Sequence, residues 1–305
     1  MIRIGSRGSR LALWQAHHIA AALRASGQDV SITTITTTGD RLQGVPFARV
    51  GSKGMFTREI EEALLSGQID LAVHSLKDLP TELAAPFVIA AVTKRVDPRD
   101  VFVSTQYSSM ETLSPGARVG TSSLRRQSQL RARWPHLEYV EFRGNVDTRL
   151  RKLADGQVDA AVLAAAGLDR LERTEWVRER FHEDVLCPAP GQGALGIECR
   201  AGDDAMRDLL GALDDADTRF AVTAERTALG ALGGGCQVPI GAYCRRTGED
   251  YRILGCVSSP DGATILRAEE RGTADRGAEA LGLRLADALL RQGALQLLAE
   301  QRPAT

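Results

Sequence analysis

Three hydroxyl residues and two arginines stand together in Thr121-Ser122-Ser123-Leu124-Arg125-Arg126. The segment reads as the end of a strand running into a helix. A helix N-terminus offers unpaired N–H groups and the favourable end of the helix dipole to an anion. Arginine guanidinium groups grip carboxylate or phosphate through two parallel hydrogen bonds. Taken alone, the segment also fits a plain helix cap by Ser122 or Ser123 with solvated arginines. Further cations favour the anion reading. Arg143 follows a strand-like run ending at Phe142, Arg149 lies about one helical turn beyond it, and Arg7 and Ser9 follow the first strand. From Arg118 to Lys152 there are nine Lys or Arg against three Asp or Glu. The implied ligand carries several carboxylates or phosphates.

Two other segments carry chemistry. His74-Ser75-Leu76-Lys77-Asp78-Leu79-Pro80 follows a strand, and Pro80 stiffens its loop. Asp78 stands out as a carboxylate among cations, placed to bind a cation, move a proton or simply occupy a surface turn. In Gly233-Gly234-Gly235-Cys236-Gln237-Val238-Pro239 three glycines leave the thiol uncovered, as a nucleophile or an attachment point would need, or as an incidental thiol on a flexible loop would be. Gly191-Gln192-Gly193-Ala194-Leu195-Gly196 matches a dinucleotide fingerprint, but two prolines precede it where a strand is required. Gly51-Ser52-Lys53-Gly54 lacks phosphate-loop spacing. The five histidines are scattered and no His-Glu-x-x-His occurs, so no metal site is expected.

These residues need elements to hold them. Strand and helix patterns alternate through the first two-thirds: strands at Ile2–Ile4, Val30–Thr37, Ile69–Val73, Phe87–Val92, Arg118–Gly120, Tyr139–Phe142 and Asp159–Leu163. Helices are expected at Leu11–Ala25, Phe56–Leu65, Leu124–Arg133 and Val146–Leu153, the third stopped by Pro135. Such alternation implies an α/β fold of two similar domains with mostly parallel sheets. The last ninety or so residues change pattern. A helix at Ala221–Leu232 and strands at Ile240–Cys244, Tyr251–Val257 and Thr264–Glu269 precede one long helix from Arg276 to Gln301, a small α+β domain. Hinges are expected near Lys94–Asp100 and Cys187–Pro190, with the chain after Gly191 crossing back to the first domain. The expected division is 1–96 with 194–214, then 97–193, then 215–305. Ligands of open α/β sheets sit beyond the carboxyl ends of the strands, so the cleft between the first two domains is the expected site.

Composition sets the class. With 43% hydrophobic and 25% charged residues the chain reads as a globular protein of two or three domains. A net charge of −1 argues against a nucleic-acid partner. No apolar run is long enough for a membrane span, and Met1–Arg7 is too polar for a signal peptide, so a cytoplasmic protein is expected. Five cysteines without a Cys-x-x-Cys pair read against disulfides and zinc ribbons.

The chain resembles the porphobilinogen deaminase family over essentially its whole length. The resemblance rests on Leu11-Ala12-Leu13-Trp14-Gln15-Ala16, Val50-Gly51-Ser52-Lys53-Gly54, Ala72-Val73-His74-Ser75-Leu76-Lys77-Asp78 and Asp97-Pro98-Arg99-Asp100. It continues through Gly120–Arg126, Arg143-Gly144-Asn145-Val146, Gly191-Gln192-Gly193-Ala194 and Gly234–Gly241. It implies a three-domain transferase, the first two domains related to two-lobed binding proteins. Such an enzyme polymerises four porphobilinogen molecules head to tail, with loss of ammonia, on a covalent dipyrromethane primer, and hydrolysis then frees the linear tetrapyrrole. It implies that Cys236 carries the primer and that Lys77, Asp78, Thr121, Ser123, Arg125, Arg126 and Arg149 bind it. Arg7, Ser9, Arg143, Arg149, Arg170 and Gln192 would bind substrate or growing chain, whose acetates and propionates suit the arginines. Asp78 would stabilise developing positive charge and move the proton. No metal or nucleotide is implied, and a monomer is expected. Arg49 stands where many relatives have Lys, and Gly233 where some have a larger residue. The Gly-rich stretch Leu42–Lys53, with Lys53, is a candidate lid. The competing reading is a non-enzymatic two-lobed anion-binding protein, which leaves the Cys236 loop unexplained.

Overall fold

The computed structural model describes residues 1–41, 55–234 and 238–299. In chain order it opens with β1 (Ile2–Ser6), α1 (Arg10–Ala25), β2 (Val30–Thr34), α2 (Thr38–Arg41), α3 (Arg58–Leu65), β3 (Leu71–Ser75) and β4 (Phe87–Val92). Then come β5 (Asp100–Val103), β6 (Arg118–Gly120), α4 (Leu124–Arg133), β7 (Glu138–Val140), α5 (Val146–Ala154), β8 (Ala160–Ala164), α6 (Ala165–Arg170) and β9 (Val177–Arg180). The chain ends with β10 (Leu195–Arg200), α7 (Asp204–Gly211), α8 (Ala216–Ala231), β11 (Ile240–Thr247), β12 (Asp250–Ser258), β13 (Ile265–Thr273), α9 (Ala278–Arg291) and α10 (Ala294–Ala299). It divides into two compact units, Met1–Val96 with Ala194–Arg219 and Asp97–Gly193 with Phe220–Thr305.

The first unit is built on a sheet of order β2-β1-β3-β10-β4. β1 pairs in parallel with β2 and β3, while β10 is antiparallel to both β3 and β4, so four of the five strands run one way. The middle of the sheet is buried: every residue of β3 except Ser75 is buried. α1 closes one face with Ala16, Ile19, Ala20 and Leu23, spaced three or four apart as a single helical stripe. Its N-terminus is fixed by Ser9, whose hydroxyl accepts from the Ala12 N–H.

The second unit repeats the plan: β7-β6-β8-β5-β9, with β6 parallel to β7 and β8 and β5 antiparallel to β8 and β9. Both sheets therefore insert one reversed strand beside the third parallel one. The alternation seen in the sequence captured the parallel strands. It missed β9 among them, and it missed the reversed strands β5 and β10, because each of these follows a crossover or an irregular loop and carries no helix to announce it. The same unit holds an antiparallel sheet, β11-β12-β13. Its core joins Ala224 and Ala228 of α8 to Leu281, Leu285 and Leu289 of α9 and Ile253 of β12. The single closing helix expected from Arg276 to Gln301 is instead α9 and α10, separated at Gly293 with φ +100°. A left-handed residue cannot continue an α-helix, and glycine adopts it without a Cβ clash.

Candidate anion-binding site

At the carboxyl edge of the second sheet, β6, β7 and β8 end side by side, and the residues singled out above follow them. Thr121 is buried. Ser123, not Ser122, caps α4, accepting from the Arg126 N–H. The Ser122 hydroxyl accepts instead from the Phe142 N–H at 2.9 Å, so it ties the turn after β6 to the turn after β7. Gly120 permits this approach, since a Cβ there would lie 2.6 Å from the Phe142 ring. Beyond Phe142, Gly144 takes φ +117°, Asn145 caps α5, and the Arg149 Nε donates to the Gly144 carbonyl at 2.8 Å. Arg143 pairs with Glu141.

Arg125 and Arg126 are not solvated. They are 4% and 6% exposed and share one carboxylate, that of the wholly buried Asp100. The Arg126 Nε and Nη2 donate to Asp100 Oδ1 at 3.0 and 2.7 Å, and Arg125 Nη1 stands 2.8 Å from Oδ2. Burial alone would raise the Asp100 pKa, but the two guanidinium groups overcome it and hold the carboxyl well below the usual range. The amide of Gln192 also donates to Oδ1, at 2.9 Å. Two guanidinium groups thus meet one carboxylate at the start of α4, where the helix dipole favours an anion. Arg170, at the end of α6, donates to the Gly193 carbonyl at 2.8 Å, and burial brings its pKa down to about 10 against the opposing pull of Asp169. A buried cation of this kind gains from an anionic ligand.

In the first unit, Arg7 and Ser9 follow β1, and Lys77 and Asp78 lie in a 3-10 turn directly after the adjacent parallel strand β3. They therefore share the carboxyl edge of that sheet. Asp78 is exposed. Arg7 is held from two sides: Asp40 accepts from it, and its guanidinium lies 4.1 Å from the Phe56 ring centre. Burial works to raise the Asp40 pKa, but Arg7 and the Thr37 hydroxyl and N–H keep it below its ordinary value. Behind the Lys77–Asp78 turn, the buried His74 Nε2 meets Glu198 Oε2 at 2.8 Å across the β3–β10 ladder.

Gly191–Gly193 leads into β10 rather than from a strand to a helix, which removes the dinucleotide reading. The four cysteines at 187, 199, 244 and 256 are buried, as expected of small apolar side chains. Among the described residues no cluster of His, Cys, Asp and Glu is arranged to hold a metal. Cys236, Lys53, Arg49 and the Leu42–Lys53 stretch lie outside the described residues. Sequence reasoning missed Asp100, Asp40 and Glu225, the carboxylates that hold the cations and loops in place. The one signal for Asp100 was its setting at the start of the apolar run Val101-Phe102-Val103, since a carboxylate buried with such a strand needs guanidinium partners.

Comparison with known proteins places the whole chain. A family model described as porphobilinogen deaminase, dipyromethane cofactor binding domain, matches residues 2–208. A second, for the porphobilinogen deaminase C-terminal domain, matches residues 219–291. Similar curated proteins include the porphobilinogen deaminase of Bordetella parapertussis, 50% identical over 304 residues, covering 99% of this chain and 96% of the relative. That of Xanthomonas campestris pv. campestris is 48% identical over 301 residues, covering 98% and 99%. Among solved structures, the methionine-binding protein MetQ is 14% identical with a TM-score of 0.46, covering 72% of this chain and 91% of that one.

Proposed function

The chain belongs to the porphobilinogen deaminase family, and from that premise we propose which of its residues carry the reaction. It is a transferase that joins four porphobilinogen molecules head to tail on a dipyrromethane cofactor, releases ammonia at each addition, and yields the linear tetrapyrrole hydroxymethylbilane. Membership over nearly the full length carries this conclusion. It also displaces the reading of a non-enzymatic binding protein.

The donor set suits the cofactor's chemistry. A dipyrromethane bearing acetates and propionates is a compact polyanion. The second unit presents an arginine pair that shares one carboxylate, close in sequence to the hydroxyls of Thr121 and Ser123. In our reading Cys236 anchors the cofactor through its thiol, and Lys77, Thr121, Ser123, Arg125, Arg126 and Arg149 hold its carboxylates. When bound, the cofactor supplies the nucleophilic pyrrole carbon on which the chain grows. Arg7, Ser9, Arg143, Arg149, Arg170 and Gln192 orient incoming porphobilinogen and the lengthening chain by their charges and hydrogen bonds. The Asp78 carboxylate accepts pyrrole N–H hydrogen bonds, stabilises positive charge that develops as ammonia leaves, and takes up the proton released from the attacked ring position. Asp78 suits that work because it is exposed beyond β3 while its turn is tied down by the Leu76 N–H, which donates to the Ala194 carbonyl at 3.0 Å.

We further read the β11–β13 sheet, α9 and α10 as a third domain bearing the Cys236 loop, the protein as a monomer, and the cytoplasm as its compartment. No described helix is long and apolar enough to cross a membrane. The test is the intact mass of the denatured protein, before and after incubation with porphobilinogen. An increment of two pyrrole units, absent from Cys236→Ser, supports the anchor. An unmodified chain that never gains mass and forms no tetrapyrrole would sink the reading.

A further inference from the structure

Glu225 is a wholly buried carboxylate on α8 whose side chain reaches two other segments of the same unit. Oε2 accepts from the Gly191 N–H and Oε1 from the Cys244 N–H, each at 2.7 Å. Burying a carboxylate is costly, and filling space would need only an apolar side chain. What the two donors require is an acceptor at each end of one rigid plane. A carboxamide of the same shape would set an N–H against an N–H at one end. The geometry therefore selects Glu.

What Glu225 holds is the short segment Gly191-Gln192-Gly193. Gly191 and Gly193 take φ +73° and +91°, so the backbone turns sharply on both sides of Gln192. The Gln192 side chain then reaches back to the Pro98 carbonyl at 2.6 Å and to Asp100 Oδ1 at 2.9 Å. Asp100 Oδ1 is also the oxygen that Arg126 grips, and the Gly193 carbonyl is the acceptor of Arg170. One end of this chain of contacts is α8, the helix that precedes Cys236 in the sequence. The other end is the arginine pair.

We propose that Glu225 is a positioning residue for the polymerisation. By fixing the Gly191 amide it sets the side chain of Gln192, and through Asp100 the pose of the arginine pair that meets the pyrrole carboxylates. The assignment rests on the reading of Gln192 and the arginines given above. A mere brace would lower stability when removed. A positioning residue must also act on substrate through Gln192, and that difference is measurable.

The experiment is a double-variant cycle in the full-length, cofactor-loaded enzyme, with KM for porphobilinogen as the readout. Glu225→Gln and Gln192→Ala should each raise KM by about 5- to 10-fold, the scale of one lost hydrogen bond, with kcat changed less. Together they should raise it no further than either alone. Effects that multiply would overturn the assignment, and so would Glu225→Gln with unchanged KM and only a lower melting temperature. If Glu225→Gln does not fold, Glu225→Asp takes its place in the cycle, keeping both oxygens but withdrawing them by one methylene. The unmodified enzyme, assayed alongside, reports the functional reading separately. Turnover there together with multiplying effects sinks only the role of Glu225.

Discussion

Asp78 follows a strand and Asp100 opens one, and the two carboxylates have opposite surroundings. Asp78 is exposed just past β3, and in the proposed reaction it is the group that moves a proton. Replacing it with Ala should leave the fold intact and lower turnover by about 10²- to 10⁴-fold, the usual weight of one acid–base group. Normal turnover with a normal circular-dichroism spectrum would remove it from the mechanism. Asp100 is wholly buried and faces Arg125 and Arg126. Asp100→Asn would remove the carboxylate charge that both buried guanidinium groups face and should cost about 3–5 kcal/mol of stability. The pH dependence follows from the direction of the shift. A carboxyl whose folded pKa is depressed contributes stability above the unfolded value, near 4, and loses it as pH falls through the folded value. The gap in unfolding free energy between the unmodified protein and Asp100→Asn should thus stay constant from pH 8 to about 5 and narrow only in stronger acid. A gap that closed near neutrality would mean that another group is responsible.

The turns at strand ends set where these side chains point. The β7–α5 turn is the clearest case, because Arg143, Gly144 and Arg149 all depend on it. Gly144 sits at φ +117°, and a Cβ there would meet Thr148 Cγ2 at 2.7 Å. Gly144→Ala should therefore cost about 1–3 kcal/mol in strain. Because the Arg149 Nε donates to the Gly144 carbonyl, the same change should raise KM for porphobilinogen. Thermal unfolding and steady-state kinetics on one preparation check both. A loss of stability without a change in KM would detach this turn from substrate binding. At the same scale, helices bounded by a cap and a stop were legible in the sequence: α4 spans Leu124–Arg133 as its spacing and Pro135 required. The reversed strands β5 and β10 were not, since their pairing is with residues distant in sequence.

For the molecule as a whole, a net charge of −1 coexists with a cation-rich carboxyl edge on the second sheet. Charge separated in this way steers an anionic substrate locally, and salt screens the attraction within about 10 Å at 0.1 M. We expect kcat/KM for porphobilinogen to fall steadily as NaCl rises from about 10 to 300 mM, a range over which the Debye length shrinks several-fold, and kcat to change little. Insensitivity of kcat/KM would mean that the arginines act only after close contact. The two α/β sheets share one plan although no internal sequence repeat is evident. Strand order constrains hydrophobic pattern and crossover, and leaves residue identity largely open.

Residue type and spacing alone left the role of Asp78 open, but pointed to a ligand with several anionic groups, to the candidate cations and to the alternating architecture. These depend on local periodicity and on motifs a few residues long. Tertiary structure alone decided which carboxylate faces which cation. Asp100 lies 25 residues before Arg125, and Glu225 reaches Gly191 and Cys244 from another helix. Nothing in a linear pattern encodes such pairings, because burial, which makes an unpaired charge intolerable, exists only once the sheets have closed over it.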